Sequence, residues 1–421
     1  MDIKGKRLLL LGGAAQCLKV VTAAKEMGVY TIVTDMAANP AVREIADECL
    51  SYSVTDAEGI YEWCREHPVD GILNYCVDYA QKTHNILCER LGLPCYGTAE
   101  QYRFLTDKKS FKKLCAENGV GVIPEYDEND PGQVEYPVMV KPAESSGSRG
   151  STVCYDHNDL IKAIGKAKKE SKNGHAIIEK YLYGKPDYSM SYIVIDGEPH
   201  LIRTLDRFVG RPEDNLQRQC ICSRSPSVYT ELYLANAHEK VVSMLKKLGL
   251  RNATVFMQGF IDDGVFRFYD PGIRFPGSEY ERMLKGATGV DVVKPFVRYA
   301  LGGTLSPLEK ELKDVFRLNG YCGLQLFIDG YPGTIGSISG VDEVTAIPGV
   351  TAVIKKHDVG YGIPDTGDVK RRLFEIVTVT ENSKNAVDSV LHQINEHLSV
   401  KDNEGKDLLT PMIDAGRLFG R

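Results

Sequence analysis

Tyr136-Pro137-Val138-Met139-Val140-Lys141-Pro142, followed closely by Ser145-Ser146-Gly147-Ser148-Arg149-Gly150, is the stretch on which the fold turns. The first part is an apolar strand ending in a lysine, and the second is a loop of small residues. The ammonium offers a point charge, and backbone amides in such a loop can wrap phosphate oxygens. This pairing reads as a phosphate cradle, with a solvent-exposed hairpin as the plain structural alternative. It is not a Walker A loop, because GxxxxGK[ST] occurs nowhere in the 421 residues.

Upstream, the sequence alternates as a βαβ unit does. Arg7 to Leu11 forms an apolar strand, Gly12-Gly13-Ala14-Ala15 a small-residue turn, Cys17 to Met27 a helical pattern, and Tyr30 to Thr34 a second strand ending at Asp35. Gly71 to Asn74 adds a strand and Tyr79 to Leu91 a helix closed by Gly92. The first hundred residues therefore read as a parallel, doubly wound sheet. The glycine spacing excludes a GxGxxG dinucleotide fingerprint, since Gly12 and Gly13 are adjacent and no third glycine precedes the helix. Amides at that helix start either hold an anion of a small substrate or serve packing alone.

Downstream of Thr98, a helix is expected from Ala99 to Asn118, carrying Asp107-Lys108-Lys109, and strands then dominate. Asp196-Gly197, Asp263-Gly264 and Asp329-Gly330 are three hairpin signals. Strands are expected around Leu324 to Ile328 and Arg372 to Thr380, with a helix from Ser383 to Leu398.

Two further segments carry chemistry. Ile177-Ile178-Glu179-Lys180-Tyr181-Leu182 is an apolar strand running into a connection and then Asp187, the kind of segment that offers an apolar slot and a carboxylate. Taken alone, Glu179 is equally an edge-strand charge. The strands Val255 to Ile261 and Val265 to Asp270 flank the Asp263-Gly264 turn, which sets Gln258 opposite Asp270. Phe256, Phe260, Phe266 and Phe268 are expected on the same face. A Gln and an Asp on an aromatic surface are costly to bury unpartnered, so they point to a metal or polar ligand, or to a hydrogen bond that closes the sheet. Arg274 follows Asp270 in a turn-rich loop and suits bidentate recognition of phosphate or carboxylate, where it would stabilise transferred phosphoryl charge.

The net charge of −6, with 43% hydrophobic and 26% charged residues, is that of an ordinary globular enzyme and argues against a nucleic-acid partner. The apolar run after the basic N-terminus is too short for a signal-peptide core, and no stretch reaches membrane-spanning length, so a cytoplasmic protein without a membrane partner is expected. The eleven cysteines show no paired zinc-ligand spacing and read as structural thiols. A homodimer is the expected assembly by frequency alone.

The order of these elements resembles the ATP-grasp superfamily, in the branch of biotin carboxylase, carboxyaminoimidazole ribonucleotide synthetase, carbamoyl-phosphate synthetase large chain and L-amino-acid ligases. The resemblance implies an α/β and α+β multidomain chain. Residues 1–97 would be a parallel α/β pre-ATP-grasp domain, and 98–305 an ATP-grasp domain of two β-rich subdomains with a lid at about 120–185. Residues 306–421 would be a C-terminal lobe. By motif, Lys108 is similar to the first ATP-phosphate lysine and Lys141 to the second, while Ser145, Ser146, Gly147, Ser148 and Gly150 are similar to the glycine-rich lid. Glu179, Lys180, Tyr181 and Leu182 resemble the adenine hinge, Asp187 the ribose-binding acid and Phe260 the apolar floor under adenine. Where the family has two acids and an Asn for magnesium, this chain has Gln258, Asp270 and Gly272, leaving Gln258 and Asp270 as the metal ligands. The implied cofactors are ATP and magnesium. Arg274 and Lys141 are the implied catalytic residues of a ligase that joins a small carboxylate to an amine through an acyl phosphate. The alternatives are an ATP-binding sensor or pseudoenzyme with a degraded magnesium site, and a bicarbonate-activating enzyme.

Overall fold

A computed structural model of the chain describes residues 2–37, 39–132, 134–142, 151–171, 174–182, 184–216 and 219–420. The loop residues Ser145, Ser146, Gly147, Ser148 and Gly150 lie outside these.

Strands β1 (Arg7–Leu11), β2 (Tyr30–Thr34), β3 (Glu48–Leu50) and β4 (Gly71–Leu73) form a parallel sheet in the order β3-β2-β1-β4. Leu8 and Leu10 of β1 enter one apolar cluster, whereas Leu9 and Leu11 enter another on the opposite face. Burial on both faces is why the strand reads as a continuous apolar run. Helices α1 (Leu18–Glu26), α2 (Ala57–Glu66) and α3 (Gln81–Leu91) accompany the sheet, and α3 ends at Gly92 with φ +66°. The strand β3 and helix α2 carry no signal singled out above. β3 is only three residues long, half-buried, and lacks an apolar run.

The single helix expected over 99–118 is two. α4 (Ala99–Thr106) stops at Asp107, whose extended backbone and carboxylate, accepting from Ser110 N at 2.8 Å, start α5 (Lys108–Glu117). An aspartate that caps from outside the helix is more stable there than within it.

A small antiparallel sheet follows in the order β5-β8-β6-β7, from β5 (Glu125–Tyr126), β6 (Val138–Pro142), β7 (Thr152–Cys154) and β8 (Ala176–Lys180), with α6 (His157–Glu170) packed against it. The remaining chain builds one eight-stranded antiparallel sheet in the order β13-β12-β9-β10-β11-β14-β19-β17. Its strands are β9 (Asp187–Ile195), β10 (Glu198–Val209), β11 (Cys220–Ser225), β12 (Ala253–Asp262), β13 (Val265–Gly272), β14 (Tyr321–Asp329), β17 (Val350–Lys355) and β19 (Arg372–Glu381). This sheet runs without interruption across residue 306. Two short pairs, β15 (Gly333–Thr334) with β18 (Gly362–Ile363) and β16 (Ser337–Ser339) with β20 (Ser399–Lys401), complete the C-terminal part.

Asp196-Gly197 and Asp263-Gly264 are tight hairpins, with φ of +49° at both aspartates. Asp329-Gly330 is not one. Asp329 is fully buried at the end of β14, pairs with Arg372, and the chain leaves toward β15. The four phenylalanines also divide. Gln258 does oppose Asp270, but the register then shifts, so that Gly259 faces Phe268 and Phe260 faces Arg267. The extra residue, Tyr269, stacks on Phe260 at 5.2 Å, while Phe266 and Phe268 turn into the core on the other face beside Tyr188. A bulge inverts side-chain direction, and alternation read from the turn outward misses it.

Candidate functional site

One face of the large sheet is polar and forms the floor of a cleft of about 430 Å³. Because side chains alternate, residues in register on neighbouring strands share a face. Asp270, Gln258, Ser189 and Leu205 make one such row across β13, β12, β9 and β10, and Phe260, Asp187, Arg207 and Ser223 make the next. Phe327 and Glu375 extend the floor across β14 and β19. Gln16, from the glycine turn of the parallel sheet, and Arg274 close the cleft from the side. The Gly13 N–H of that turn donates to Asp35 at 2.8 Å, so this amide is already committed within the protein.

Three of the four guanidinium groups that line the cleft are matched to acids. Arg207 donates to Asp187 at 2.8 Å; burial opposes its charge, yet the Asp187 carboxylate more than offsets this and raises its pKa. Arg274 binds Asp78 at 3.0 Å, donates to the Phe275 carbonyl at 2.9 Å and lies 4.7 Å over the Phe256 ring. Arg372 sits 3.5 Å from Asp329. Burial pushes the Asp270 carboxyl above its ordinary value, with Lys108, 3.7 Å away, pulling it back.

Gln258, Asp270 and Arg274 thus line one cleft, and Lys108, the first residue of α5, reaches its Asp270 edge. Gln258 makes no bond to Asp270. Its Nε2 donates to Tyr269 Oη at 2.5 Å and toward Asp187 at 3.3 Å, leaving Oε1 as its acceptor. Both Asp187 oxygens therefore already accept, from Arg207 and Gln258, and a ribose hydroxyl there would share them. The segment from Arg203 to Arg224, with Arg207, Arg211, Arg218 and Arg224, reads from sequence as either a contact for an acidic substrate or a solvated basic surface; Arg203 and Arg207 are floor residues, spaced with Leu205 at every second position of β10. Of the other arginines in this basic segment, Arg211 pairs with Asp214 at 3.1 Å and Arg224 is buried beside Asp206 on the opposite face.

Lys141 and the segment 179–182 lie on the small sheet, outside the cleft lining among the described residues. Lys141 donates to Glu179, which also accepts from Lys112 at 2.5 Å. Glu179 is 4% exposed; burial raises its pKa, but the Lys141 and Lys112 charges outweigh burial and leave it below the ordinary carboxylate value. The Lys180 ammonium binds Asp262 at 3.0 Å, and the Lys180 and Tyr181 N–H groups donate to the carbonyls of Pro124 and Pro137 at 3.0 Å each. Leu182 is buried beside them.

The donor set for magnesium is one carboxylate, Asp270, and one amide carbonyl, Gln258. A hard cation takes oxygen ligands, and both residues offer them. A nearby cation would also favour the charged form of Asp270, whose pKa partial burial raises. The third position offers nothing, since Gly272 faces the Phe256 ring and has no room for a side chain. The pair suits a magnesium ion that arrives with phosphate oxygens completing its shell.

Comparison with known proteins agrees with this architecture. Residues 107–308 match the model of the carbamoyl-phosphate synthase L chain ATP-binding domain. The chain is 27% identical to biotin carboxylase of Pseudomonas aeruginosa over 73% of each protein. In fold it is similar to phosphoribosylglycinamide synthetase from Anaerococcus prevotii, with a TM-score of 0.79, 16% identity and coverage of 95% of this chain and 100% of that one. It is also similar to L-amino acid ligase from Bacillus licheniformis, with a TM-score of 0.76, 18% identity and coverage of 95% and 99%. The similarity in sequence is thus to an ATP-grasp ATP-binding domain over residues 107–308, and the similarity in fold extends over nearly the whole chain. No helix among the described residues is long and apolar enough to cross a membrane.

Proposed function

We propose that the chain is an ATP-dependent ligase that activates a small carboxylate as an acyl phosphate and passes it to an amine. The observation that carries this reading is the meeting of Asp270, Gln258, Lys108 and Arg274 at one cleft, an arrangement of acid, carbonyl and cations suited to polyphosphate and its counterion. A carboxylate oxygen attacks the γ-phosphorus, ADP leaves, and the amine then displaces phosphate from the acyl carbon with loss of a proton. Such transfer needs charge neutralisation and alignment more than covalent catalysis. Lys108 and Lys141 hold phosphate oxygens, Arg274 faces the transferred phosphoryl, and the small sheet closes as the lid that excludes water. Lys141 keeps its orientation through Glu179, and Phe260 on Tyr269 supplies an apolar surface for the adenine ring. Magnesium, held by Asp270 and Gln258, would supply further neutralisation of phosphate charge.

The biotin carboxylase relatives support the same nucleotide chemistry and raise bicarbonate as the activated carboxylate. The Gly272 and Phe256 pair favours a second reading, a nucleotide-binding protein of low turnover. Magnesium-dependent release of ADP from ATP, screened against pools of amino acids, small carboxylates and bicarbonate, separates these. Stimulation by a carboxylate and amine together supports the ligase; stimulation by bicarbonate alone replaces it with a carboxylating enzyme; ATP binding unaffected by every pool replaces it with the sensor.

A further inference from the structure

Arg203 is a buried cation that the protein does not neutralise. It is 2% exposed and lines the cleft floor from β10. Its Nη1 and Nη2 donate to the hydroxyls of Ser278 at 3.2 Å and Ser189 at 2.8 Å, and its Nε has no partner. The other three guanidiniums of the cleft each have an acid: Arg207 has Asp187, Arg274 has Asp78 and Arg372 has Asp329. No carboxylate of the described residues forms an ion pair with Arg203. Glu281 acts on it only at longer range and is itself held by Lys19 at 2.9 Å. Burial accordingly lowers the Arg203 pKa to about 10.

An unpaired buried charge is expensive, and a side chain that persists in that state at the base of a cleft is completed by its ligand. The charge count defines that ligand. Asp270 has Lys108, and Glu375 has Lys356 at 2.8 Å, so one positive charge is left over, which one carboxylate would balance. A phosphate dianion would leave a surplus negative charge. Nη1 and Nη2 each keep one N–H beyond those given to Ser278 and Ser189, and a guanidinium's paired donors match the planar geometry of a carboxylate.

The Arg203 backbone lies two residues farther along β10 than the row of Gln258, Ser189 and Leu205, roughly 12 Å from the Gln258 backbone, and its guanidinium reaches Ser189 of that row, so this subsite adjoins the Gln258 and Asp270 pair. A guanidinium gripping the carboxylate to be phosphorylated would also stabilise the ground state and slow attack. We propose that Arg203 anchors a second, non-reacting carboxylate, so that one of the two substrates is a dicarboxylate or an amino acid held by the carboxyl group that is not activated. This deepens the ligase reading and rests on it for the word substrate.

The test begins without ATP. Thermal shifts of the full chain are measured with succinate, glutarate, aspartate and glutamate, with their monoamides, and with inorganic phosphate, for the wild type, Arg203→Met and Arg203→Lys. At least one diacid should bind at least tenfold tighter than its monoamide and than phosphate; Arg203→Met should abolish that preference and Arg203→Lys keep part of it. The ligand-free Arg203→Met protein should melt no lower than the wild type, because an unpaired buried charge has been removed. No shift by any panel member, an equal response to phosphate, undiminished preference in Arg203→Met, or a ligand-free melting point several degrees lower in that variant would each overturn the assignment. ADP release assayed separately distinguishes the two ideas. An Arg203-dependent shift without turnover removes the ligase reading and leaves the anion site, whereas turnover indifferent to Arg203→Met removes the anion site and leaves the ligase.

Discussion

Gly272 stands opposite Phe256 in the β12–β13 ladder, and a Cβ on Gly272 would lie 2.2 Å from Cε1 of that ring. The space in which a side chain on residue 272 would sit is thus filled by an aromatic ring from the neighbouring strand, and Arg274 stacks on the same ring. Gly272 and Phe256 belong together. Gly272→Asn alone should destabilise the protein by about 1–3 kcal/mol through overpacking. Phe256→Ala with Gly272→Asn should recover part of that and tighten magnesium binding. Urea denaturation and magnesium titration of both variants check the coupling, and an additive pair would show that the ring is not what excludes the Asn.

Lys141 shares Glu179 with Lys112, so removing Lys141 does not strand the buried acid. Lys141→Ala should therefore fold normally and weaken ATP binding by about tenfold or more, as expected for the loss of a charge-assisted bond to phosphate. Calorimetric titration with ATP measures this, and unchanged affinity would remove Lys141 from the nucleotide site.

Asp270 is the carboxylate proposed to hold the cation, and burial already lifts its pKa. Asp270→Asn should lower magnesium-dependent turnover by at least about tenfold, in the range seen when groups supporting a metal are removed. Nucleotide affinity should fall less. Intact magnesium-dependent turnover in this variant would place the metal elsewhere.

The break at Asp107 positions Lys108. With the cap bond to Ser110 N at 2.8 Å lost, Asp107→Ala should cost about 1 kcal/mol of stability. It should also weaken ATP binding, although residue 107 itself touches no ligand in the proposed site. Asp107→Asn, which keeps a capping oxygen, should retain both properties within a few tenths of a kcal/mol.

What the sequence disclosed follows from how local each signal is. The parallel sheet was legible because β1 is buried on both faces and needs an unbroken apolar run. Two of the three Asp-Gly hairpins were legible because turn chemistry acts over two residues. Gln258 opposite Asp270 followed from counting outward from Gly264, and the same counting failed at Phe266 and Phe268 because a bulge at Tyr269 leaves no mark in composition. Asp329-Gly330 had the composition of a turn, but Asp329 pairs with Arg372, 43 residues away, and only tertiary context shows it. The floor arginines were legible only in part. The basic segment from Arg203 to Arg224 reads equally as a contact for an acidic substrate or as solvated surface, and only the strand register turns Arg203 and Arg207 inward.

Asp262 ties the two sheets together, and it should set the acid limit of the fold. It receives Lys180 from β8 at 3.0 Å, Lys185 at 3.1 Å and Arg267 from β13 at 2.9 Å, and it is 1% exposed. Burial pushes its pKa up, but the three cations outweigh this and hold it at about 2. An acid whose pKa is depressed by folding stabilises the native state above its unfolded value near 4 and stops doing so as pH falls through the folded value. The contribution is about 2 kcal/mol at neutral pH, lost progressively between about pH 4 and pH 2. Asp262→Asn should therefore lower the urea midpoint clearly at pH 7, and the difference from wild type should narrow as the pH is taken from 4.5 to 3. Because Lys180 adjoins Tyr181 and Leu182, the same substitution should loosen the proposed adenine hinge and weaken ATP binding at pH 7. A stability difference that stays constant down to pH 3 would mean that Asp262 contributes through packing rather than through its charge.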